Sequence, residues 1–192
     1  MNQRRERLAA LAALVLGAVM VVFTFQPALS ALRYRPGGDP LWMALPAQLV
    51  HLGPSHLLLN LLGLALVAWV AWRHALLAGV MGALLAAAIG VAVGLRYDDP
   101  LLAWYVGLSG ALYGAVAALG CGLTNRRYAS VLRMAGVLLV VGVGIKTWAG
   151  VAHVGGPGEW LGIPPAPSAH LYGYLGGLAW SATVGLLARR RP

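Results

Sequence analysis

The sequence predicts an all-α membrane protein, a bundle of six transmembrane helices, from its composition, its apolar runs and its charge distribution. Hydrophobic residues make up 60% of the chain and charged residues only 10%, with a mean hydropathy of +0.77. Soluble domains have about 45–50% apolar and about 25% charged residues. The 26 glycines suit membrane helices, whose backbones approach closely where side chains are small. This composition excludes an ordinary soluble domain.

Six apolar runs come close to the roughly 20 residues that a helix needs to cross a bilayer. They predict one domain over residues 1–192, with spans at 8–28, 56–72, 75–95, 105–123, 129–151 and 168–188. The first run follows the basic segment MNQRRERL and ends at Ala28-Leu29-Ser30, so a cleaved signal peptide is its alternative. Its apolar core, residues 8–25, exceeds the roughly 7–15 residues of a signal peptide, which favours an uncleaved span.

Basic residues lie mainly on one side of these spans, and the positive-inside bias therefore predicts cytoplasmic N- and C-termini. The inner segments carry Arg4, Arg5, Arg7, Arg73, Arg126, Arg127, Arg133, Arg189, Arg190 and Arg191. The outer segments carry Arg33, Arg35, Arg96 and Lys146, together with the acidic Asp39, Asp98, Asp99 and Glu159. The net charge of +9 then reflects topology, so the lipid bilayer and not nucleic acid is the expected partner.

Three polar side chains stand where the second span begins, on the outer side in this orientation. His51 precedes the span, and His56 and Asn60 lie four residues apart on one face of its helix. Polar groups cost free energy in hydrocarbon unless they have partners, so they indicate either hydrogen bonds between helices or a functional site. For this pair alone, a hydrogen bond to a neighbouring span is the simpler interpretation.

The fourth and sixth spans carry a serine and a histidine at the same outer level. Ser109 lies between Gly107 and Gly110, and a helix beginning near it would offer unpaired N–H groups to an anionic oxygen. His170 is followed by Gly173 and Gly177 on the same face, which suits close packing against the glycine-rich fourth span. Each residue alone is more typical of helix packing than of catalysis.

Together, these residues predict acyl-transfer chemistry at the outer face of the membrane. A serine needs a base to become a nucleophile, and a histidine within hydrogen-bond reach is the usual one. Acyl transfer also needs donors aimed at the developing oxyanion, and His56, Asn60 and the Ser109 amide can supply them. Cys121 is the only cysteine and no HExxH pair occurs, so neither a metal nor a cofactor is expected.

The three segments resemble the motifs of rhomboid-family intramembrane serine proteases. The matches are His51-x4-His56-x3-Asn60 to HxxxxHxxxN, Gly107-Leu108-Ser109-Gly110 to GxSG, and Ala169-His170-x2-Gly173-x3-Gly177 to AHxxGxxxG. By this resemblance Ser109 is the nucleophile, His170 is the general base, and no carboxylate completes a triad. The oxyanion donors would be His56 and Asn60. Supporting positions would be His51, Gly107, Gly110, Tyr113, Gly173 and Gly177.

The resemblance implies a rhomboid-like bundle that cleaves single-span membrane proteins near the outer membrane boundary. The small size of the chain and the stretch QLVHLGPSHLLLN are most similar to the rhombosortase subgroup. That subgroup implies substrates with C-terminal Gly-Gly sorting tails, and a bacterial inner membrane with the active site facing the periplasm. The implied partners are therefore membrane-anchored proteins.

Two features depart from the family pattern. Met43 follows Trp42 where many rhomboids have arginine, which puts the role of the first outer loop in question. His153 also begins an AHxxG pattern, but prolines follow it and Trp160 stands where the second glycine belongs, so His170 is favoured.

Two other functions remain open at this point. An inactive rhomboid relative would bind membrane proteins without cutting them, although such relatives typically lack the serine or the histidine. A small transporter or channel would need polar groups near the bilayer midplane, whereas the polar groups of this chain cluster at one outer level.

Overall fold

A computed structural model describes residues 3–152 and 166–189, and its six long helices follow the apolar runs of the sequence. In chain order they are α1 (Gln3–Phe25), α2 (Pro54–Arg73), α3 (Leu77–Asp98), α4 (Ser109–Leu123), α5 (Ser130–Ala152) and α6 (Pro167–Arg189). Shorter helical segments, Pro27–Ser30, Leu41–Met43 and Ala44–Ala47, lie between α1 and α2. The described residues form no β-strand, so the predicted all-α class is confirmed for this part of the chain.

Proline, glycine and one tight turn set the ends of the first two helices. α1 stops at Phe25 because Pro27, two residues later, has no N–H with which to continue the helix. α2 starts at Pro54, a residue suited to the first helical position, after Gly53 with a φ of 121° that favours glycine. Beyond the end of α2, Ala75 adopts a φ of 52° and turns the chain directly towards α3.

The fourth helix begins later than the apolar run predicts, at Ser109 and not at residue 105. Tyr105 is held in an extended backbone by Tyr34, whose N–H donates to the Tyr105 carbonyl at 3.1 Å and whose carbonyl accepts from the Tyr105 N–H at 2.7 Å. Gly107 follows with a φ of 102°, and its N–H donates to the Ala47 carbonyl at 3.2 Å. These contacts delay the helix, so α4 has 15 residues and a length of about 22 Å.

Four helices, α1, α2, α3 and α5, are long and apolar enough to cross a bilayer. They also carry exposed apolar side chains, such as Leu14 on α1, 73% exposed, and Leu138 on α5, 65% exposed. Exposing such apolar surfaces to water would be unfavourable in free energy, whereas contact with lipid acyl chains carries no such penalty. The chain is therefore a multi-pass integral membrane protein. Six spans would require the shorter α4 and the glycine-rich α6 to cross as well.

α4 lies at the centre of the bundle, in contact with α2, α3, α5 and α6. Its contact with α6 is the closest: a Cβ on Gly173 would overlap the carbonyl oxygen of Gly110, and one on Gly177 would overlap the backbone of Gly114. With no side chain between them, the backbones of α4 and α6 touch at two successive turns. The start of α6 is thereby held against the start of α4.

Polar contacts tie α1 to the rest of the bundle near both of its ends. The Glu6 carboxylate accepts from the Leu77 N–H at 3.0 Å and the Ala78 N–H at 3.3 Å, so it caps the start of α3. Free N–H groups and the helix dipole both favour a negative charge at that position. Near the other end of α1, the Thr24 hydroxyl lies 3.3 Å from Nδ1 of His51.

Candidate active site

Ser109 and His170 meet where α4 and α6 begin. The Oγ of Ser109 lies 3.1 Å from Nε2 of His170, within the range of about 2.6–3.2 Å expected for a nucleophile and its base. Ser109 is the first residue of α4 and is half-buried, and His170 lies in the first turn of α6. The glycine contact between the two helices brings these ends together, so residues 61 positions apart become neighbours.

Tyr113 holds the plane of the His170 ring. It follows Ser109 by four residues and therefore lies on the same face of α4. Its ring stacks on the imidazole with centroids 4.4 Å apart and planes inclined by 15°, so a rotation of the imidazole away from Ser109 would break the stack. In the described part of the chain, no carboxylate hydrogen-bonds His170, which leaves Tyr113 as its aromatic support.

The turn that leads into Ser109 is fixed through both polar backbone groups of Gly107. Its carbonyl accepts from the hydroxyl of the buried Tyr105 at 2.8 Å, while its N–H donates to Ala47. The Ser109 N–H then stands at the start of α4, where the first amides of a helix have no partner within the helix. An anionic oxygen at this position would meet unpaired donors and the positive end of the helix dipole.

His56 approaches the same turn from α2. A Cβ on Gly107 would lie 2.7 Å from Cε1 and 2.9 Å from Nε2 of the His56 ring, so only glycine fits at position 107. The Leu52 N–H donates to Nδ1 of His56 at 3.3 Å, and Nδ1 is therefore an acceptor. In the neutral ring the proton must then be on Nε2, the nitrogen beside Gly107. His56 thus presents an N–H donor to the turn that precedes Ser109.

Asn60 lies one turn further along α2, buried behind His56. Its Nδ2 donates to the His56 carbonyl at 2.9 Å, which uses one of the two amide hydrogens. Its Oδ1 is buried and has no hydrogen-bond partner among the described residues. Asn60 therefore supports the turn of helix that carries His56 and keeps one further N–H to donate.

His51 is buried beside His56, just before α2. The two rings meet edge to face with centroids 5.0 Å apart. Nδ1 of His51 lies 3.1 Å from the Leu49 carbonyl, which can only accept, so Nδ1 carries the proton. Burial, and secondarily the His56 ring, lowers the pKa of His51 to about 4, and the ring is neutral at pH 7. Its place behind His56 suits a supporting role.

The loop between α1 and α2 is anchored without an arginine at position 43. Met43 packs against the buried cluster around Tyr34, while Trp42 is 67% exposed. Arg96, on α3, donates to the Pro36 carbonyl at 2.5 Å and to the Asp39 carbonyl at 3.4 Å. An arginine from another helix therefore holds this loop in place.

Several residues that shape the site carry no signal strong enough to single them out in the sequence. In the sequence, Tyr105 looks like one more apolar residue of a span. Its position two residues before Gly107, which itself precedes Ser109 by two, is the only sign that it could support the turn into Ser109. Asp98 and Asp99, at the end of α3, contact the start of α6. Acidic residues at the end of a span, level with a serine and a tyrosine beside His170, could have indicated that contact.

The described residues contain no group of three or more His, Cys, Asp or Glu side chains that could hold a metal ion. The arrangement instead combines a serine with a histidine base, a helix start and an imidazole N–H donor.

A comparison with protein families matches the rhomboid domain to residues 39–186, more than three quarters of the chain. The chain belongs to the rhomboid family.

Rhomboids are generally intramembrane serine proteases, and this rhomboid carries a serine and a histidine in contact. No curated protein matches the chain. The family match begins after α1, which nevertheless packs on α2 and α3. His153, the rival histidine of the rhomboid AHxxG pattern, lies outside the described residues, as do Trp160, Arg190 and Arg191.

Proposed function

We propose that this rhomboid is an intramembrane serine endopeptidase with Ser109 as its nucleophile and His170 as its general base. The main support is the 3.1 Å contact between Ser109 Oγ and His170 Nε2. The imidazole that makes this contact is held in its plane by the stacked ring of Tyr113. Neutral imidazole at that distance can take the hydroxyl proton as the oxygen attacks a carbonyl carbon.

In the acylation step, the Ser109 oxygen forms a bond to the scissile carbonyl carbon while its proton moves to His170 Nε2. The resulting tetrahedral intermediate collapses as the same proton passes to the leaving amine, and the peptide C–N bond breaks. Water then attacks the acyl-enzyme with His170 again as base, which releases the new carboxyl end and restores Ser109. In both steps His170 is the protein group that takes up the proton and gives it back, and no carboxylate is required.

The oxyanion would lie between the start of α4 and the His56 ring. The Ser109 N–H and the His56 Nε2–H are donors on either side of the turn at Gly107. Asn60 contributes its remaining amide hydrogen or holds His56 in place. Donors fixed before the reaction cost no reorganisation in the transition state, which is why they accelerate acyl transfer.

The proposal places six spans in the membrane, with both termini in the cytoplasm and Ser109 towards the outer side, in a bacterium the periplasm. The arginines between α4 and α5 then lie inside, in line with the positive-inside bias. With Leu123, the last residue of α4, at the inner boundary, the roughly 22 Å length of the helix places Ser109 about 8 Å below the outer boundary of a hydrocarbon core about 30 Å thick.

A site at this depth reaches only the outward end of a substrate's membrane helix. The peptide carbonyls of an intact helix are engaged in its own hydrogen bonds, so the substrate must unwind locally before Ser109 can attack. Single-span proteins with small, helix-weakening residues at the outer boundary are the expected substrates. The rhombosortase resemblance narrows them to surface proteins with a C-terminal tail of Gly-Gly, an apolar span and a basic end.

The test is co-expression of the enzyme with a reporter that bears such a tail, with either Gly-Gly or Leu-Leu at the outer boundary. Glycine costs about 1 kcal/mol more than alanine or leucine at each helical position, so Gly-Gly should be cut about tenfold faster or more. Equal cleavage would reject the unwinding argument. Cleavage of other single-span proteins but never of the tailed reporter would reject only the subgroup, and capture without cleavage would indicate an inactive relative.

His56→Ala and Asn60→Ala are expected to slow cleavage without eliminating it. Loss of one oxyanion donor typically lowers turnover about 10²–10³-fold, and the Ser109 amide remains in both variants. The measurement is the rate of reporter cleavage by purified enzyme in detergent or liposomes. His74→Ala, in the turn after α2, is the matched control. Wild-type turnover in the double variant would assign both residues a structural role.

A further inference from the structure

Two acidic residues at the end of α3 hold the first turns of α6. The Ser168 hydroxyl donates to Oδ2 of Asp99 at 2.7 Å. The Tyr172 hydroxyl donates to Oδ2 of Asp98. These four residues, Asp98, Asp99, Ser168 and Tyr172, form the α3–α6 clasp. The carboxylates also lie beside the start of α6, where the helix dipole favours negative charge.

The ring of Tyr172 has a fitted place on α3. A Cβ on Gly94 would overlap this ring, and a Cβ on Gly90 would lie 2.9 Å from the Tyr172 carbonyl oxygen. Gly90, Gly94 and Asp98 follow one another at four-residue spacing, so they share one face of α3. The clasp therefore fixes how far α6 slides along α3 and how it is rotated about its own axis.

His170 lies on the opposite side of α6 from the clasp. Ser168 and Tyr172 are four residues apart and share a face, whereas His170, two residues from each, is turned by about 200°. One side of α6 is thus bonded to α3, and the other presents the imidazole to Ser109 on α4. A rotation or slide of α6 at the clasp would therefore change the distance between Ser109 Oγ and His170 Nε2, within the freedom that the glycine contact with α4 leaves.

We propose that the α3–α6 clasp is the positioning device for His170, a task that a carboxylate bonded to the histidine performs in a catalytic triad. The inference rests on the proposed protease function, and it concerns positioning residues that do not touch the substrate. Tyr113 sets the plane of the imidazole, and the clasp sets the depth and rotation of the helix that carries it.

The expected result is a loss of turnover in Tyr172→Phe/Ser168→Ala, which removes both hydroxyl donors and keeps the ring against Gly94. A displacement of about 1 Å at the reacting groups can cost about 100-fold, so we expect kcat to fall about tenfold or more with KM nearly unchanged. Labelling of Ser109 by a fluorophosphonate should slow in parallel. Asp98→Asn keeps an acceptor for Tyr172 and should retain most of the activity that Asp98→Ala loses.

Tyr97→Phe is the matched control, because Tyr97 is adjacent to the clasp on α3 and its side chain is 76% exposed. A geometric readout is independent of activity: Ser109→Cys and His170→Cys, in a Cys121→Ala background, should be joined by a short bis-methanethiosulfonate cross-linker, because a cysteine at 170 ends about 2 Å short of the position of the His170 Nε2 and lies too far from residue 109 for a direct disulfide. The clasp substitutions should slow this cross-link severalfold, and Tyr97→Phe should not.

Unchanged cross-linking and unchanged labelling in Tyr172→Phe/Ser168→Ala would overturn the clasp as a positioning device. If the wild-type enzyme neither cleaves nor labels while cross-linking still depends on the clasp, the proposed protease function fails and the positioning of residue 170 by the clasp stands. The two failures are therefore distinguishable in one set of variants.

Discussion

Ser109→Ala is expected to abolish proteolysis while the protein remains folded. Without the hydroxyl there is no nucleophile, and removing the nucleophile or the base of a serine protease lowers turnover on the order of 10⁶-fold. The fold should persist because α4 and α6 meet through the glycine backbones and not through this side chain. The measurement is cleavage of a membrane-anchored reporter, with thermal unfolding in detergent as the test of folding.

His170→Ala should lose activity to a similar degree, because the hydroxyl of Ser109 then has no base at 3.1 Å. His153→Ala is the matched histidine control and should keep most of the activity. A fluorophosphonate should label wild-type Ser109, and a chelator should leave cleavage unchanged. A Ser109→Ala enzyme that still cuts the reporter would exclude the proposed mechanism.

Gly173→Ala is expected to damage both stability and activity. The added methyl group would overlap the Gly110 carbonyl oxygen, which is backbone and cannot move aside alone, so α6 must shift away from α4. Overpacking of this kind typically costs about 1–3 kcal/mol of unfolding free energy. Because His170 precedes Gly173 by less than one turn, the same shift should lower turnover by about 100-fold.

Gly185→Ala is the matched control on the same helix. A Cβ on Gly185 would meet no atom within 4 Å, so the substitution should leave activity unchanged and, if anything, stabilise α6 by up to about 1 kcal/mol. The thermal midpoint and the cleavage rate of the two variants give the comparison. Equal midpoints for Gly173→Ala and wild type would contradict the backbone contact between α4 and α6.

Much of the fold could be predicted because lipid imposes a simple rule on the sequence. Apolar runs of nearly 20 residues give the long helices to within a few positions, as in residues 129–151 against Ser130–Ala152. The glycine spacing of the fourth and sixth spans predicts their close packing, because small residues matter only where backbones touch. The three short motifs also predict that Ser109, His170 and His56 lie close together, and in the structure Ser109 contacts His170 while His56 lies beside Gly107.

Other features could not be predicted, because they depend on which distant groups become partners. Residues 105–108 are as apolar as a helix, and it is the pairing of Tyr105 with Tyr34 and the Gly107–Ala47 hydrogen bond that keep α4 from starting before Ser109. Glu6 caps α3 from 71 residues away, and the partners in the clasp are about as far apart in sequence. A single sequence shows that such groups are polar, but it does not show which of them meet.

The shortness of α4 has a consequence for where substrates are cut. In the proposed orientation, a 15-residue helix enclosed by its neighbours fixes the height of Ser109 above the inner boundary of the membrane, whatever the lipid. A substrate's own helix tilts or shifts to match the local thickness of the bilayer. In lipids with longer acyl chains, the residue of the substrate level with Ser109 should therefore lie further from its outer boundary. Acyl-chain length would then select the scissile bond, with no change in the enzyme.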